Sequence, residues 1–174
     1  VHIDIDKSEI DKNILTDYFV TGDAKKVISR ILEKLPKQSR GEWTSFIAGH
    51  QAHAREAENG GTVISPTGII RSIEELAPDN VIVTTDVGQH QMWAAQAFLY
   101  KFPRQFISSG GFGTMGFGLG AAIGAKVGAD ANPVVHIAGD GCFRMNCHEL
   151  CTVEHYDIPV ISVVFNNGTL GMVR

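Results

Sequence analysis

The stretch from Val134 to Met172, which includes VVHIAGDGCF and ISVVFNNGTLGM, decides the fold of this sequence. It contains two short apolar runs, Val134 to Ala138 and Val160 to Phe165, and turn residues end each run. Short β-branched runs bounded by turns are typical of strands buried on both faces. About one helix of sequence separates the runs, so the pattern predicts a βαβ unit with neighbouring parallel strands.

Oxygen-bearing side chains follow both predicted strands at the point where each strand ends. Asp140 stands in Gly139-Asp140-Gly141, and Asn167 stands in Asn166-Asn167-Gly168. Ligands of open α/β sheets bind at the carboxyl ends of the strands, where these two residues would lie side by side. Carboxylate and amide oxygens suit Mg²⁺ or Ca²⁺, with waters and phosphates completing the coordination. The pattern therefore predicts a metal ion that holds a diphosphate.

The rest of the chain also alternates strands and helices. We predict strands at residues 1–6, Val81 to Thr85 and Gln105 to Ser109, and helices that begin at Asp23 and at Ser65-Pro66, where capping residues stand. Further helices are expected up to about Tyr100 and from Met145 to Tyr156. Residues 36–62 are polar and glycine-containing, which favours an irregular crossing between two domains.

Composition limits the class of protein and the kinds of site. The formal net charge of −4 argues against a nucleic-acid surface, and no apolar run approaches the length of a membrane span. Cys142, Cys147 and Cys151 could form a zinc site with His155, but no Cys-x-x-Cys pair is present, so free thiols are favoured. His50 and His53 lie three residues apart without acidic or cysteine partners, which favours exposed linker histidines over ligands.

A glycine-rich segment offers a competing interpretation. Gly111-x-Gly113-x-x-Gly116 fits the dinucleotide-binding fingerprint and stands between a predicted strand and a helix. The acid expected after the next strand is Asp140, whose flanking glycines favour phosphate and metal over a ribose contact. A nicotinamide- or flavin-dependent oxidoreductase is therefore the alternative from a different class.

Four segments resemble the large catalytic subunit family of acetolactate synthases, which are thiamine diphosphate enzymes. They are TTDVGQHQMWAAQ at 84–96, SSGGFGTMGFGLGAAIGAKVGA at 108–129, GDGCFRMN at 139–146 and NNGTLGMVR at 166–174. The resemblance implies a three-layer α/β/α fold with a mostly parallel sheet. It also implies a thiamine diphosphate domain at 63–174 that continues beyond Arg174, a linker at 37–62, and the end of a central FAD-binding-type domain at 1–36.

The resemblance also implies a cofactor site. Asp140, Asn167 and the Thr169 carbonyl would hold Mg²⁺, Gln89 and His90 would meet phosphate, and Met115 would wedge between the two rings of thiamine diphosphate. The implied cofactor contacts are Val87, Gly88, Gln89, His90, Gly113, Met115, Gly139, Asp140, Gly141, Cys142, Asn167, Thr169, Leu170, Gly171 and Met172. FAD, largely structural in this family, would contact Asp4, Ile5, Glu9, Ile10, Gly22, Asp23 and Ala24.

The implied activity joins two 2-keto acids with loss of carbon dioxide. Pyruvate would combine with a second pyruvate or with 2-ketobutyrate, in branched-chain amino acid biosynthesis. The family takes an activating glutamate from the N-terminal domain of a partner subunit, and neither Glu149 nor Glu154 is a substitute. We therefore expect this chain to be inactive alone, to belong to a homodimer with a regulatory small subunit, and to be cytoplasmic, with a plastid location left open.

The sequence departs from the family pattern at a few positions. Cys142 stands where serine is usual, Cys147-His148 where asparagine-glutamine is usual, and Gly120 where proline is usual. A thiol is a weak hydrogen-bond donor, so we expect looser phosphate binding within the same class. Glyoxylate carboligase, sulfoacetaldehyde acetyltransferase and pyruvate oxidase share the two metal-binding motifs and remain alternatives, as does a non-enzymatic fragment kept for dimerisation.

Overall fold

The computed structural model describes residues 1–59 and 64–174, and the side chains of residues 53–59 are also left out of the description. The chain divides into two compact units, Val1–His50 and Gln51–Arg174. Within the described ranges, no helix combines the length and the apolarity needed to span a membrane.

The first unit pairs two short parallel strands with a helix. Strands β1 (His2–Asp4) and β2 (Phe19–Thr21) are parallel, and helix α1 (Ala24–Lys34) follows β2. The carboxylate of Asp23 accepts a hydrogen bond from the Lys26 amide at 3.0 Å, which confirms the predicted N-cap. Strand β2 was not predicted, because its three residues end a polar segment that lacks a period-two pattern.

The prediction of irregular structure over residues 36–62 was wrong. Helix α2 runs over Gly41–Asn59, and Gly60 and Gly61 lie outside the described residues. The overlooked signal is a stripe of Trp43, Phe46, Ile47 and His50, which recurs at helical spacing. The Trp43 and Phe46 rings stack with centroids 5.6 Å apart, and exposed His50 meets Phe46 edge-on at 4.4 Å. The side chain of His53 lies outside the described residues.

A parallel sheet with the strand order β4-β3-β5-β6 forms the second unit. Its strands are β3 (Ile82–Thr85), β4 (Phe106–Ser108), β5 (Val134–Gly139) and β6 (Ile161–Phe165). Its helices are α3 (Pro66–Leu76), α4 (Gln89–Ala97), α5 (Phe117–Gly128), α6 (Asp140–Asn146) and α7 (Leu150–His155). This architecture confirms the α/β fold class and the adjacency of the two strands of the VVHIAGDGCF and ISVVFNNGTLGM segments.

Successive side chains of the central strands point to opposite faces of the sheet, and both faces are buried. Val83, Val135 and Ile137 pack in one cluster with Ile70 of α3 and Ala94 of α4. The intervening residues face α5 instead, where the Thr84 hydroxyl donates to the Gly118 carbonyl at 3.3 Å. Helices therefore cover the sheet on two sides, and its carboxyl edge stays open for a site.

The predicted helix from Met145 to Tyr156 begins and divides differently in the structure. Helix α6 starts at Asp140, directly after β5, and a short 3₁₀ segment at Cys147–Glu149 separates it from α7. Asn146 lies at this break with a φ of −131°, and its amide donates to the Gly116 carbonyl at 2.6 Å. This hydrogen bond connects the end of α6 to the turn before α5.

A buried hydrogen bond between Asp86 and His136 joins the start of the site to the middle of the sheet. The Asp86 carboxylate lies 3.0 Å from Nε2 of His136 and accepts the Gly118 amide, also at 3.0 Å. The two side chains are 1% and 0% exposed. Burial alone would raise the pKa of Asp86, but the hydrogen bonds from His136 and Gly118 outweigh it and hold the pKa below its ordinary 3.8.

Gly118→Ala should destabilise the fold, because the added Cβ would lie 2.6 Å from His136 Nε2 and 2.7 Å from the Asp86 amide nitrogen. We expect a loss of about 1–3 kcal/mol in the free energy of unfolding. Gly124→Ala, on the same helix with open space at its Cβ, should instead gain about 0.5–1 kcal/mol. Urea unfolding of both variants measures this, and equal changes would contradict the packing described.

Asp86→Asn should remove part of the acid sensitivity of the fold. A carboxylate whose pKa is depressed by folding stabilises the folded state above its ordinary pKa, and this contribution is lost as pH falls below about 4. The variant should lose about 2 kcal/mol near neutral pH, and the gap to wild type should narrow in acid. Urea unfolding across this pH range measures the gap. A constant gap would mean that Asp86 has no depressed pKa.

Candidate functional site

A cavity of about 210 Å³ lies at the carboxyl ends of β3, β5 and β6. Its lining includes every residue that the sequence predicted as a contact of thiamine diphosphate. The lining residues are Val87, Gly88, Gln89, His90, Trp93, Gly113, Met115, Gly139, Asp140, Gly141, Cys142, Phe165, Asn167, Thr169, Leu170, Gly171, Met172 and Val173. The structure thus brings four separate segments of the chain to one place, although their binding roles stay predictions.

The three predicted metal ligands lie in this cavity. Asp140 is the first residue of α6, directly after β5, and Asn167 follows the end of β6 by two residues. The Asn167 side-chain oxygen accepts the Thr169 amide at 3.0 Å, which folds the chain so that both residues line the cavity. One carboxylate, one amide oxygen and one main-chain carbonyl form a donor set that fits Mg²⁺ with waters and phosphate.

The imidazole of His90 places a buried ring nitrogen at the cavity. Its ring is 5% exposed, and in the part of the chain that the structure describes its Nε2 has no hydrogen-bond partner. Buried nitrogens of this kind are rarely left unsatisfied, and a phosphate oxygen in the cavity would satisfy this one. Burial lowers the pKa of His90, and the negative charge of Asp86 only partly opposes this shift. The imidazole is therefore mainly neutral at neutral pH in the absence of a ligand, and a phosphate anion bound beside Nε2 would favour a proton on that nitrogen.

Glycines in the cavity wall let neighbouring side chains pack closely against the main chain. A Cβ at Gly139 would lie 3.0 Å from Nδ1 of His90, and one at Gly141 would lie 2.7 Å from Cδ2 of Leu170. At Gly171 an added Cβ would collide with the Gln89 carboxamide. These glycines therefore allow the close packing of the side chains that form the cavity wall.

A turn between β4 and α5 presents Met115 to the cavity. Gly113 and Gly116 have φ angles of +73° and +83°, in the left-handed region that glycine adopts without strain. Asn146 fixes this turn through its bond to the Gly116 carbonyl. Gly111, the first glycine of the dinucleotide fingerprint, is absent from the cavity lining. Gly116 is absent as well, so of the three fingerprint glycines only Gly113 lines the cavity.

Three cavity residues were not predicted from the sequence, namely Trp93, Phe165 and Val173. The Trp93 and Phe165 rings contact each other with centroids 5.7 Å apart and form an apolar wall. Trp93 lies one helical turn beyond Gln89, so its helical spacing from a predicted ligand was a usable signal. Phe165, the last residue of β6, reads as core from sequence and offered no such signal.

Cys142 occupies a position where the cysteine replaces the usual serine. Its thiol is buried and donates to the Val87 carbonyl at 3.1 Å. Burial, followed by the charge of Asp86, raises the pKa of the thiol, which keeps it protonated and able to donate. Cys147 and Cys151 are exposed free thiols. Among the described residues, no three His, Cys, Asp or Glu side chains are grouped to hold a metal ion.

The residues predicted to contact FAD lie in the first unit. Asp4 ends β1, Gly22 follows β2, and the Gly22 amide donates to the Asp4 carbonyl at 2.8 Å. Asp23 and Ala24 begin α1, and Glu9 with Ile10 closes a 3₁₀ turn after β1. The strand ends and the helix start are therefore neighbours, whereas Ile5 is 75% exposed.

Comparison with known proteins identifies the family. The family described as thiamine pyrophosphate enzyme, C-terminal TPP binding domain, matches residues 86–174. The chain is 43% identical to the probable acetolactate synthase large subunit of Methanocaldococcus jannaschii over 99% of this chain and 31% of that relative. It is 44% identical to the chloroplastic acetolactate synthase of Arabidopsis thaliana, over 99% of this chain and 27% of that relative.

The Escherichia coli K12 acetolactate synthase isozyme 3 large subunit is 38% identical over 100% of this chain and 32% of its own length. The chain thus spans about a third of the length of the curated relatives it matches. The family match favours thiamine diphosphate over the dinucleotide interpretation of the glycine-rich turn. The chain belongs to the thiamine pyrophosphate enzymes, through the C-terminal TPP-binding domain that its second unit carries.

Proposed function

We propose that this chain supplies the cofactor-anchoring part of an acetolactate synthase large subunit. The substrates would be pyruvate together with a second pyruvate or 2-ketobutyrate, which are joined with loss of carbon dioxide. The observation that carries the proposal is the meeting of Asp140, Asn167, Thr169 and the unpartnered His90 nitrogen in one cavity. The names of the relatives, acetolactate synthase large subunits, support the choice of reaction within the family.

The metal and the diphosphate would be bound by residues from three strand ends. Asp140, Asn167 and the Thr169 carbonyl would hold Mg²⁺, whose charge offsets that of the diphosphate. His90 and Gln89 would donate to phosphate oxygens, and the glycine backbone at Gly139 and Gly141 would let those oxygens approach the main chain. Bound thiamine diphosphate supplies a carbon nucleophile and an electron sink for decarboxylation.

The turn from Gly113 to Gly116 would orient the rings. The Gly113 carbonyl would accept from the exocyclic amine of the pyrimidine, and the Met115 side chain would support the bent conformation. Met172 and Leu170 would face the substrate side, where apolar surface excludes water from the reacting carbon. These residues would bind and orient the cofactor, and none of them would transfer a proton.

An activating carboxylate must come from elsewhere. Glu149 accepts a hydrogen bond from Thr152 at 3.2 Å, Glu154 is exposed, and neither lines the cavity. We propose that a second copy of the full-length subunit provides this glutamate across a homodimer interface. The relatives' designation as large subunits supports a regulatory small subunit as a further partner.

We also propose that FAD binds at the first unit in the complete protein. Support comes from the placement of Asp4 and Asp23 beside the start of α1, where an acid can meet a ribose and a helix N-terminus favours phosphate. The net reaction transfers no electrons, so the flavin would be structural. Residues 37–62 would then connect this unit to the thiamine diphosphate domain.

Thiamine diphosphate should bind the chain only when Mg²⁺ is present, and EDTA should abolish binding. Asp140→Asn should weaken binding at least roughly tenfold, because one charged metal ligand is lost. Asp130→Asn is the matched control, since the side chain of Asp130 is 97% exposed and lies outside the cavity. Quenching of Trp93 fluorescence reports the titration. Binding that survives EDTA would overturn the metal assignment.

The chain should form no acetolactate from pyruvate even when it is saturated with Mg²⁺ and thiamine diphosphate. The reason is that Asp140 is the one carboxylate among the described residues that line the cavity, and it is assigned to the metal, so none is left to activate the pyrimidine. A colorimetric assay for acetolactate tests this, with the cofactor titration showing that the site is filled. Turnover above the cofactor-only background would contradict the need for a second subunit.

A further inference from the structure

A chain of hydrogen bonds crosses the sheet directly beneath the cavity. It runs from Ser162 on β6 to Nδ1 of His136 on β5 at 3.2 Å, from Nε2 of His136 to Asp86 at 3.0 Å, and from Asp86 to the Gly118 amide. His136 and Asp86 are fully buried, and neither lines the cavity. Neither residue is among the proposed cofactor contacts.

The amide and both carboxylate oxygens of Asp86 make hydrogen bonds. Its amide donates to the Ile137 carbonyl at 3.0 Å, and its two carboxylate oxygens receive His136 and Gly118. The next residues along the chain, Val87 to His90, line the cavity. The conformation of Asp86 therefore sets the direction in which this segment leaves the sheet.

The bonding fixes the protonation of the His136 ring. A carboxylate only accepts hydrogen bonds, so Nε2 of His136 must carry a proton and donate it to Asp86. Nδ1 then meets the Ser162 hydroxyl, which can donate or accept. An apolar residue at position 136 would match its apolar sequence neighbours Val135 and Ile137. It would, however, leave the buried Asp86 carboxylate without this hydrogen-bond donor.

We propose that His136 is a positioning residue for the cofactor site. Its Nε2 proton fixes the Asp86 carboxylate, and Asp86 in turn fixes the start of α5 through Gly118 and the cavity segment Val87 to His90. The effect on cofactor affinity rests on the proposed function, whereas the effect on the backbone of the chain does not. If His136 served core packing alone, only the volume of its side chain would matter, and the loss of its Nε2–H donor would have no effect.

The experiment compares His136→Gln, whose amide can still donate to Asp86, with His136→Leu, which keeps volume but has no donor. His136→Leu should raise the dissociation constant of thiamine diphosphate with Mg²⁺ by roughly tenfold or more, and His136→Gln should stay within about threefold of wild type. Amide hydrogen exchange at Gly118 should accelerate in the leucine variant and remain slow in the glutamine variant. Ser162→Ala is the control at the other end of the chain of bonds and should change affinity by less than about threefold.

Two results would overturn the proposal: wild-type affinity and exchange in His136→Leu, or equal impairment in both His136 variants. If the wild-type chain binds no thiamine diphosphate, the proposed function fails, and the exchange comparison alone then decides the positioning role. If His136→Leu does not fold, ¹⁵N NMR of the wild-type imidazole decides it. A proton on Nε2 is expected, and an unprotonated Nε2 would overturn the proposal.

Discussion

The parallel pairing of β5 with β6 is the constraint on which the site depends. In this register Gly139 lies opposite Phe165, so the residues that follow the two strands emerge at the same edge. Asp140 and Asn167 come from segments more than two dozen residues apart, and only this pairing makes them neighbours. The pairing of β3 with β5 then adds His90 to the same edge. A register shift in either pair would move one ligand group away from the others.

Close packing beneath this edge restricts which residues can build it. Gly118 lets α5 approach the sheet so closely that its amide reaches the Asp86 carboxylate, and a Cβ there would meet both His136 and Asp86. Gly139 and Gly141 permit similarly close packing at the cavity, where an added Cβ would meet His90 or Leu170. Glycine therefore permits close packing at two places in one domain, against the sheet at Gly118 and in the cavity wall at Gly139.

Several features could be predicted because the signals that produce them are local. Asp23 and Ser65 cap their helices, as a short polar side chain before an amphipathic run indicates. The strands of the central sheet were found within one or two residues of their bounds, since β-branched runs that end at turn residues have few alternatives. The contents of the cavity followed from the motif resemblance, which supplied residues from segments that no local pattern connects.

Other features could not be predicted from the sequence, for physical reasons. The stripe on α2 was hidden by glycines and histidines, and the helix break at Asn146 depends on the Gly116 carbonyl thirty residues earlier in the chain. His136 looks like one polar residue in an apolar strand, and its meaning appears only when Asp86 and Ser162 arrive from neighbouring strands. The sequence by itself determined the strands of the four-stranded sheet, the two helix caps and the identities of the ligand-bearing turns. The tertiary structure alone decided which buried polar groups are paired, because such pairing depends on distances between segments that the order of residues does not contain.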